Sequence, residues 1–225
     1  KKIFISGISS GLGKALAEVF SETNWQVIGC GRSEVSFSQK NIHYFVLHVD
    51  NWNEIEDFVD HHSDLLDGVS VLINNASILG MLERLDQYPP VTWKKVIDVN
   101  LNGTFYLTRA LFPFLKKETL PQIINISSSV GKQPREEWGA YAVSKYAIEG
   151  LTQILTKENP DFLVYTINPG GLPTRMRQIA YPEEDPSTLP SLEDAAIQIH
   201  HFVEFPDATW KGAHINLRDY LKPEG

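Results

Sequence analysis

The sequence predicts an α/β fold, in which a parallel sheet is covered by helices on both faces. Short, nearly unbroken apolar runs alternate with longer amphipathic segments along the chain, as expected for strands that are buried on both faces. Several of these runs end in Gly, Ser or Asn, which favour tight turns. Right-handed crossovers then give a three-layer, doubly wound sheet of about seven strands.

The apolar runs locate the strands, and the amphipathic segments locate the helices. Strands are predicted at residues 3–6, 26–30, 44–49, 69–74, 122–127, 162–168 and 213–217. Helices are predicted at residues 14–23, 54–66, 93–116, 140–157 and 192–205. Pro113 lies near the end of the long third helix, where a kink is expected.

Composition narrows the possible functions. A length of 225 residues fits a single domain over residues 1–225. The net charge of −8 argues against nucleic acid or an anionic membrane surface as the main partner, because both attract basic patches. Apolar runs are shorter than the ~18 residues of a membrane span, and we expect no signal peptide. The single cysteine, Cys30, excludes an internal disulfide and fits the reducing cytoplasm.

A glycine-rich segment follows the first predicted strand. Gly7 permits a tight turn, while Gly11 and Gly13 let the backbone approach a pyrophosphate and let the helix pack on the strand. The free amides and the dipole of the helix would hold the phosphates. A generic strand-to-helix turn is the alternative, but the position after the first strand favours dinucleotide binding. The expected contacts are Gly7, Ser9, Ser10, Gly11, Leu12 and Gly13.

The turn after the second strand distinguishes NAD from NADP. An acidic residue there binds the ribose 2′-hydroxyl, whereas an arginine accommodates a 2′-phosphate. Here Arg32 is the first charged residue after the strand, and Ser33 can add a hydroxyl donor. A guanidinium matches phosphate geometry. A plain surface arginine is the alternative, but the pattern favours NADP(H) over NAD(H).

The spacing Gly-x-x-x-Gly-x-Gly resembles the short-chain dehydrogenase/reductase family. Further segments resemble it in the same order over essentially the whole chain: Asn74-Asn75-Ala76-Ser77, the segment around Asn100, Ile126 to Gly131, Tyr141-x-x-x-Lys145, and Asn168 to Thr174. The resemblance implies a Rossmann fold and an NADP-dependent oxidoreductase that acts on a carbonyl or a secondary alcohol. Two positions depart from the pattern: Ser77 replaces a glycine, and His48 replaces an aspartate that usually contacts adenine.

The resemblance also assigns a catalytic set. Tyr141 would be the general acid/base, and Ser128, which precedes it by thirteen residues, would hold the substrate oxygen. Tyr141 and Lys145 are four apart on a predicted helix and share a face, so the ammonium could lower the pKa of the phenol. Lys145 would also bind the nicotinamide ribose, and Asn100 would hold a relay water. Taken alone, Tyr-x-x-x-Lys is more often a solvated helix face, and the glycine-rich loop and the serine strand end favour the catalytic interpretation.

The remaining cofactor contacts implied by the resemblance are Val49, Asn75, Ala76, Tyr141, Lys145, Pro169, Gly170 and Thr174. A proline-rich, acidic connection at about residues 171–190 follows a strand end and is interpreted as a substrate lid. Trp138 either lines the substrate pocket or anchors its own loop. Ile78, Leu79, Leu172 and Met176 suit an apolar substrate, or they are lid packing.

The sequence favours the reductase over other classes of protein. A catalytically silent NADP(H)-binding regulator or scaffold would be expected to lose one of the three catalytic residues, and all three are present. An epimerase of the extended branch carries a larger C-terminal domain than this chain can supply. Two adjacent histidine pairs, at residues 61–62 and 200–201, give no metal-ligand pattern. By resemblance, we expect a homodimer or homotetramer that pairs through the helices at residues 93–116 and 140–157.

Overall fold

A seven-stranded, wholly parallel sheet forms the centre of the structure, a computed structural model in which residues 1–220 are described. Its order is β3-β2-β1-β4-β5-β6-β7. The strands are β1 (Lys2–Ser6), β2 (Gln26–Gly31), β3 (Ile42–Val46), β4 (Val69–Asn74), β5 (Gln122–Ile126), β6 (Leu163–Asn168) and β7 (His214–Asn216). The predicted doubly wound parallel sheet of seven strands is confirmed.

Helices cover both faces of this sheet. They are α1 (Gly11–Ser21), α2 (Trp52–His61), α3 (Ser63–Leu66), α4 (Pro90–Ile97), α5 (Gly103–Leu115), α6 (Gly139–Glu158), α7 (Arg175–Ala180) and α8 (Leu192–Glu204). Short 3-10 turns lie at Ser129–Gly131, Pro186–Thr188, Ala208–Trp210 and Leu217–Asp219.

Several element boundaries differ from the predictions. The helix predicted over residues 54–66 is two helices, because His62 between α2 and α3 has a non-helical backbone (φ −120°, ψ 21°). The strand predicted over residues 44–49 is β3, which begins and ends earlier. Leu47 and Val49 are apolar, as strand residues usually are, but they pack beside the sheet after the strand has ended.

The long helix predicted over residues 93–116 is a succession of α4, a π-helical turn at Asp98–Asn102, and α5. It begins at Pro90, an early position where proline is favoured because it needs no amide partner. Pro113 lies in the last turn of α5, which ends two residues later. The π-helical turn contains Asn100, and such turns occur frequently at functional sites.

Alternate side chains of the strands divide the core into two layers. In β1, Ile3 and Ile5 face the layer that contains α1 and α8, while Phe4 faces the layer that contains α2 and α5. The two sides of the sheet run outward from β1 and β4, where the strand order reverses. Connections leave these neighbouring strands toward opposite faces, so a crevice opens at their carboxyl ends.

Candidate active site

A cleft of about 600 Å³ follows the carboxyl edge of the sheet. It runs from the glycine-rich loop after β1, past the ends of β4 and β5, to α6 and α7. The predicted site residues that line it are Gly7, Ser9, Ser10, Gly11, Leu12, Gly13, Arg32, Val49, Asn75, Ala76, Ser128, Tyr141, Lys145, Pro169, Gly170 and Thr174. Two predicted residues, Ser33 and Asn100, do not line it.

The glycine-rich loop depends on the absence of side chains at two positions. Gly7 has φ +76°, a left-handed conformation that side chains disfavour. A Cβ on Gly13 would lie 2.2 Å from the carbonyl oxygen of Gly7, so α1 can approach the turn only without one. The loop is also held to β2, because the amides of Gly7 and Ile8 both donate to the carbonyl of Cys30 (2.7 and 3.0 Å).

The end of β4 is fastened to the same loop by Ser6 and Asn75. The hydroxyl of Ser6 accepts hydrogen bonds from the amides of Asn75 and Ala76, both at 3.0 Å. In return, the side-chain amide of Asn75 donates to the carbonyls of Ser6 (2.9 Å) and Gly7 (3.3 Å). These contacts fix two neighbouring strand ends relative to each other and define the floor of the cleft.

The turn after β2 presents Arg32 to the cleft, while Ser33 lies outside it. Arg32 is exposed and has no carboxylate partner among residues 1–220. Ser33 is exposed, and its carbonyl accepts a hydrogen bond from the hydroxyl of Tyr44. Its predicted contact with the cofactor beside Arg32 stays a prediction.

His48 also points away from the cleft. Its amide and its ring Nδ1 both contact the carboxylate of Glu54 at 3.0 Å, and the neighbouring Leu47 and Val49 line the cleft instead. Asp50 lies in a turn and pairs with Lys95 (2.5 Å), and the residue that precedes α2 as its N-cap is Asn51.

The predicted catalytic side chains meet at the far end of the cleft. The Ser128 hydroxyl lies beside the phenol of Tyr141, close enough to act on the pKa of that phenol. The ammonium of Lys145 lies 5.5 Å from the centre of the Tyr141 ring and donates to the carbonyl of Ile126 at 2.7 Å. Tyr141 and Lys145 are buried, with exposed fractions of 7% and 4%. The helix α6 and the end of β5 thus supply the whole set.

Burial controls the protonation of both groups on α6. It raises the pKa of Tyr141 to about 12, against an opposing effect of the Ser128 hydroxyl. It lowers the pKa of Lys145 to about 8, against the attraction of the Glu149 carboxylate. Burial therefore dominates the pKa of the phenol in the cofactor-free state, and the expectation that Lys145 lowers it stays a prediction. Tyr141 is therefore a neutral phenol, the form that can donate a proton.

Asn100 lies behind this set rather than in the cleft. Its side chain accepts from the amide of Ile78 (2.8 Å) and donates to the carbonyl of Ile78 (2.9 Å) and to the hydroxyl of Ser144 (3.0 Å). Because these bonds occupy the side-chain amide, a relay water would have to bind the backbone carbonyl, which already accepts from Thr104 (2.8 Å).

Apolar side chains surround the phenol. Trp138, the residue that precedes α6, lies 5.8 Å from Tyr141 and 6.0 Å from Tyr181 between ring centres. It follows Glu137, whose φ of +66° is unusual for a residue with a side chain. The cluster that packs around Tyr141 contains Leu79, Leu82, Val130, Trp138, Ala142, Met176 and Ala180.

The connection at residues 171–190 is more ordered than an irregular lid, since it contains α7 and a 3-10 turn. Thr174 begins α7 by accepting a hydrogen bond from the amide of Arg177. Arg177 forms a bidentate pair with Glu184, both contacts at 2.6 Å, and stacks over the ring of Tyr181. Sequence reasoning missed Arg175 and Arg177, which both line the cleft; their position directly after Thr174 was the available signal.

The cleft fits an anionic dinucleotide. Within the described residues, none of its lining side chains is acidic, although the chain as a whole is. Ser77 also lines the cleft, and its hydroxyl oxygen is buried without a hydrogen-bond partner. Buried polar atoms are almost always paired, so this one is available to a ligand.

Comparisons with known proteins agree with this geometry. The profile of the short chain dehydrogenase family matches residues 1–185. The uncharacterized oxidoreductase YciK of Escherichia coli (strain K12) is 36% identical, over 85% of this chain and 81% of its own. The 3-oxoacyl-[acyl-carrier-protein] reductase FabG of Vibrio cholerae is 30% identical, over 84% of this chain and 80% of its own.

A crystal structure of a short chain dehydrogenase from Escherichia coli CFT073, complexed with NADPH, superimposes with a TM-score of 0.89. It is 31% identical, and the match covers 96% of this chain and 95% of that one. The parallel sheet and its cleft define a dinucleotide-binding α/β protein. The chain belongs to the short-chain dehydrogenase family of oxidoreductases.

Residues 1–220 contain neither a membrane-spanning helix nor a cluster of metal-binding side chains. No helix there has both the length and the apolarity that crossing a bilayer requires. The same residues contain no group of three or more His, Cys, Asp or Glu side chains placed to hold a metal ion. Cys30 is fully buried, and burial raises the pKa of its thiol to about 12, which makes it a poor nucleophile.

Proposed function

We propose that this protein is an NADP(H)-dependent oxidoreductase that interconverts a carbonyl compound and a secondary alcohol, with Tyr141 as the general acid/base. The observation that carries the proposal is the meeting of Tyr141, Ser128 and Lys145 in one cleft that continues to the glycine-rich loop. The related FabG is named as a reductase of a 3-oxoacyl group, which supports a carbonyl substrate.

The cofactor assignment rests on Arg32 and on the NADPH-complexed relative. Arg32 enters the cleft without a carboxylate partner among residues 1–220 and can form paired hydrogen bonds with a 2′-phosphate. The glycine-rich loop would hold the pyrophosphate through its amides. Val49, Asn75 and Ala76 would flank the adenosine, and Pro169, Gly170 and Thr174 would approach the nicotinamide. NAD(H) remains the disfavoured alternative, because the β2 turn lacks an acidic residue.

In the reductive direction, bound NADPH supplies a hydride to the carbonyl carbon. Ser128 holds the carbonyl oxygen next to Tyr141. As the carbon is reduced, the C=O electron pair moves onto this oxygen, which takes the phenolic proton of Tyr141. The O–H bond of Tyr141 breaks, and the ammonium of Lys145 stabilises the phenolate that remains. A proton from solvent then restores Tyr141, with a water on the backbone of Asn100 as the proposed relay.

The cluster around Tyr141 favours a substrate with an apolar body. Trp138, Met176 and Leu79 pack over the phenol from three separate segments, and such walls bind by burying apolar area. The segment at about residues 171–190 would act as the substrate lid of a single domain.

The exposed faces of the long helices support a homodimer or homotetramer. Large apolar side chains are exposed on α4, α5 and α6: Val91, Phe105, Val143, Tyr146 and Ile154. Such patches mark association surfaces. Sedimentation of the purified chain as a monomer would contradict this assignment. The reduced state expected of the lone Cys30 supports a cytoplasmic location.

The function is tested by incubating the purified protein with NADPH and a panel of aldehydes, ketones and 3-oxoacyl thioesters. Oxidation of NADPH, followed by its absorbance, should occur with at least some apolar carbonyls and much less with NADH. The reverse panel pairs NADP with secondary alcohols. NADPH binding without turnover across both panels would instead support the silent regulator.

A further inference from the structure

A buried carboxylate lies directly behind the catalytic set. Glu149 is on α6, one turn after Lys145, and its side chain is 8% exposed. Its carboxylate is not part of the cleft. An ionised carboxylate at such a depth is costly unless several partners compensate it.

Four side chains from different segments surround this carboxylate. Ser127 at the end of β5 hydrogen-bonds one oxygen, and His214 of β7 contacts the same oxygen at 2.8 Å. Thr166 of β6 donates to the other oxygen at 3.0 Å, and Lys132 reaches it at 3.3 Å. Burial acts to raise the pKa of Glu149, but these hydrogen bonds and positive charges outweigh it and hold the pKa below its usual range. The group is therefore an anion at neutral pH.

Contacts with the end of β5 connect the Glu149 carboxylate to the proposed catalytic residues. Three successive residues of the strand end face three side chains of α6, and two of them are hydrogen-bonded to it. The carbonyl of Ile126 accepts from Lys145, and Ser127 donates to Glu149, while Ser128 lies beside Tyr141. The middle contact fixes the register between the two elements that carry the catalytic side chains.

Electrostatics gives Glu149 a second effect on the same site. Of the described charged groups, Glu149 is the one whose field acts on Lys145, where it opposes the effect of burial. His214 from β7 and Lys132 from the segment after β5 face the carboxylate from its other side. Without the carboxylate, burial alone would act on Lys145, and its ammonium would lose its proton at a lower pH.

We propose that Glu149 is a positioning residue for the carbonyl–alcohol chemistry, which holds Ser128 in place through Ser127 and keeps Lys145 protonated by its charge. This inference rests on the proposed function. The inference makes two claims that can be tested separately. The first is that Glu149 positions Ser128 through Ser127, and the second is that its charge keeps Lys145 protonated. A carboxylate that only stabilises the fold would do neither.

The test compares three variants by their pH profiles, with NADPH and the best carbonyl of the panel. E149Q keeps the shape and removes the charge, so its alkaline limb should move to lower pH by about half a pH unit or more. Its kcat below that limb should fall less than that of S127A, because the side-chain amide oxygen can still accept from Ser127, with little change in the substrate KM. S127A should lower kcat and leave the alkaline limb in place. E158Q removes the same charge from an exposed position on the same helix and should match the wild type.

A folded E149Q with a wild-type alkaline limb, or S127A with wild-type kcat, would overturn the proposal. If E149Q does not fold, E149D is used instead, because it keeps the negative charge on a side chain that is shorter by one methylene group. E149D must then show reduced kcat with the limb at the wild-type pH, and either normal kcat or a displaced limb contradicts the proposal. Absence of turnover in the wild type would be a failure of the proposed function instead. An NMR titration of Lys145 in wild type and E149Q would still test the charge effect in that case.

Discussion

The ammonium nitrogen of Lys145 lies 5.5 Å from the centre of the Tyr141 ring, and both side chains are buried one helical turn apart on α6. This separation lets the ammonium stabilise a phenolate without a direct contact in the resting state. Burial keeps the phenol neutral until a proton is needed. Under the proposed function, this arrangement favours proton donation by Tyr141 during carbonyl reduction.

Replacement of Tyr141 by phenylalanine tests this role. Y141F should lower kcat/KM for carbonyl reduction by about a thousandfold, as expected when a general acid is lost. NADPH affinity, measured by fluorescence titration, should be nearly unchanged. Y146F is a matched control, because Tyr146 is on the same helix with its side chain exposed. Turnover in Y141F close to that of the wild type would exclude Tyr141 as the proton donor.

The Arg32 guanidinium should decide the choice of cofactor. R32A should weaken NADPH binding by about tenfold to a hundredfold, because hydrogen bonds to a charged group contribute about 1.5–3 kcal/mol. NADH, which has no 2′-phosphate, should lose little affinity. Calorimetric titration of both cofactors measures the difference, and R84A, an exposed arginine paired with Asp86, serves as the control. Equal losses for the two cofactors would contradict the assignment of NADP(H).

Ser77 should contribute a hydrogen bond to the bound dinucleotide. Its hydroxyl is buried in the cleft without a partner, and a neutral hydrogen bond contributes about 1 kcal/mol. S77A should therefore weaken NADPH binding about fivefold, as measured by the same titration. Unchanged affinity in S77A would mean that the hydroxyl bonds to water and not to the cofactor.

The fold and the catalytic set could be predicted from the sequence, but the residues that surround the catalytic set could not. The sequence predicts the catalytic set because each of its parts has a fixed place at a strand end or on a helix face. These parts are the glycine-rich loop, Ser128 and Tyr141-x-x-x-Lys145. The role of Glu149 could not be predicted, because a glutamate on a helix normally faces solvent. Its partners Thr166 and His214 also belong to strands that are distant in sequence and come close only in the folded chain. A turn directs adjacent side chains differently, so Arg32 lines the cleft and Ser33 does not, and the predicted cofactor contact of Ser33 stays a prediction.

The pH dependence of carbonyl reduction should report the ammonium of Lys145. Burial lowers the pKa of this group to about 8, so the protonated form predominates below that pH and is lost above it. Because the ammonium stabilises the phenolate, kcat/KM should fall as the pH rises through about 8. NMR titration of the Lys145 side chain in the cofactor-free protein provides a direct measurement. Titration of that side chain at the ordinary lysine value would show that burial does not govern it.

Trp138 should contribute to binding an apolar substrate and little to proton transfer. Its ring lies 5.8 Å from that of Tyr141, beside Met176 and Ala180 of α7. W138A removes a large part of this wall, and loss of about 1–2 kcal/mol of apolar burial corresponds to an increase in KM of about tenfold. The increase should be seen with aromatic and long-chain ketones and should be small with short polar ones, while kcat changes less than KM. W52A removes a tryptophan that packs on Tyr106, outside the cleft, and controls for general destabilisation. Equal effects of W138A on polar and apolar carbonyls would indicate that Trp138 anchors its loop rather than contacting the substrate.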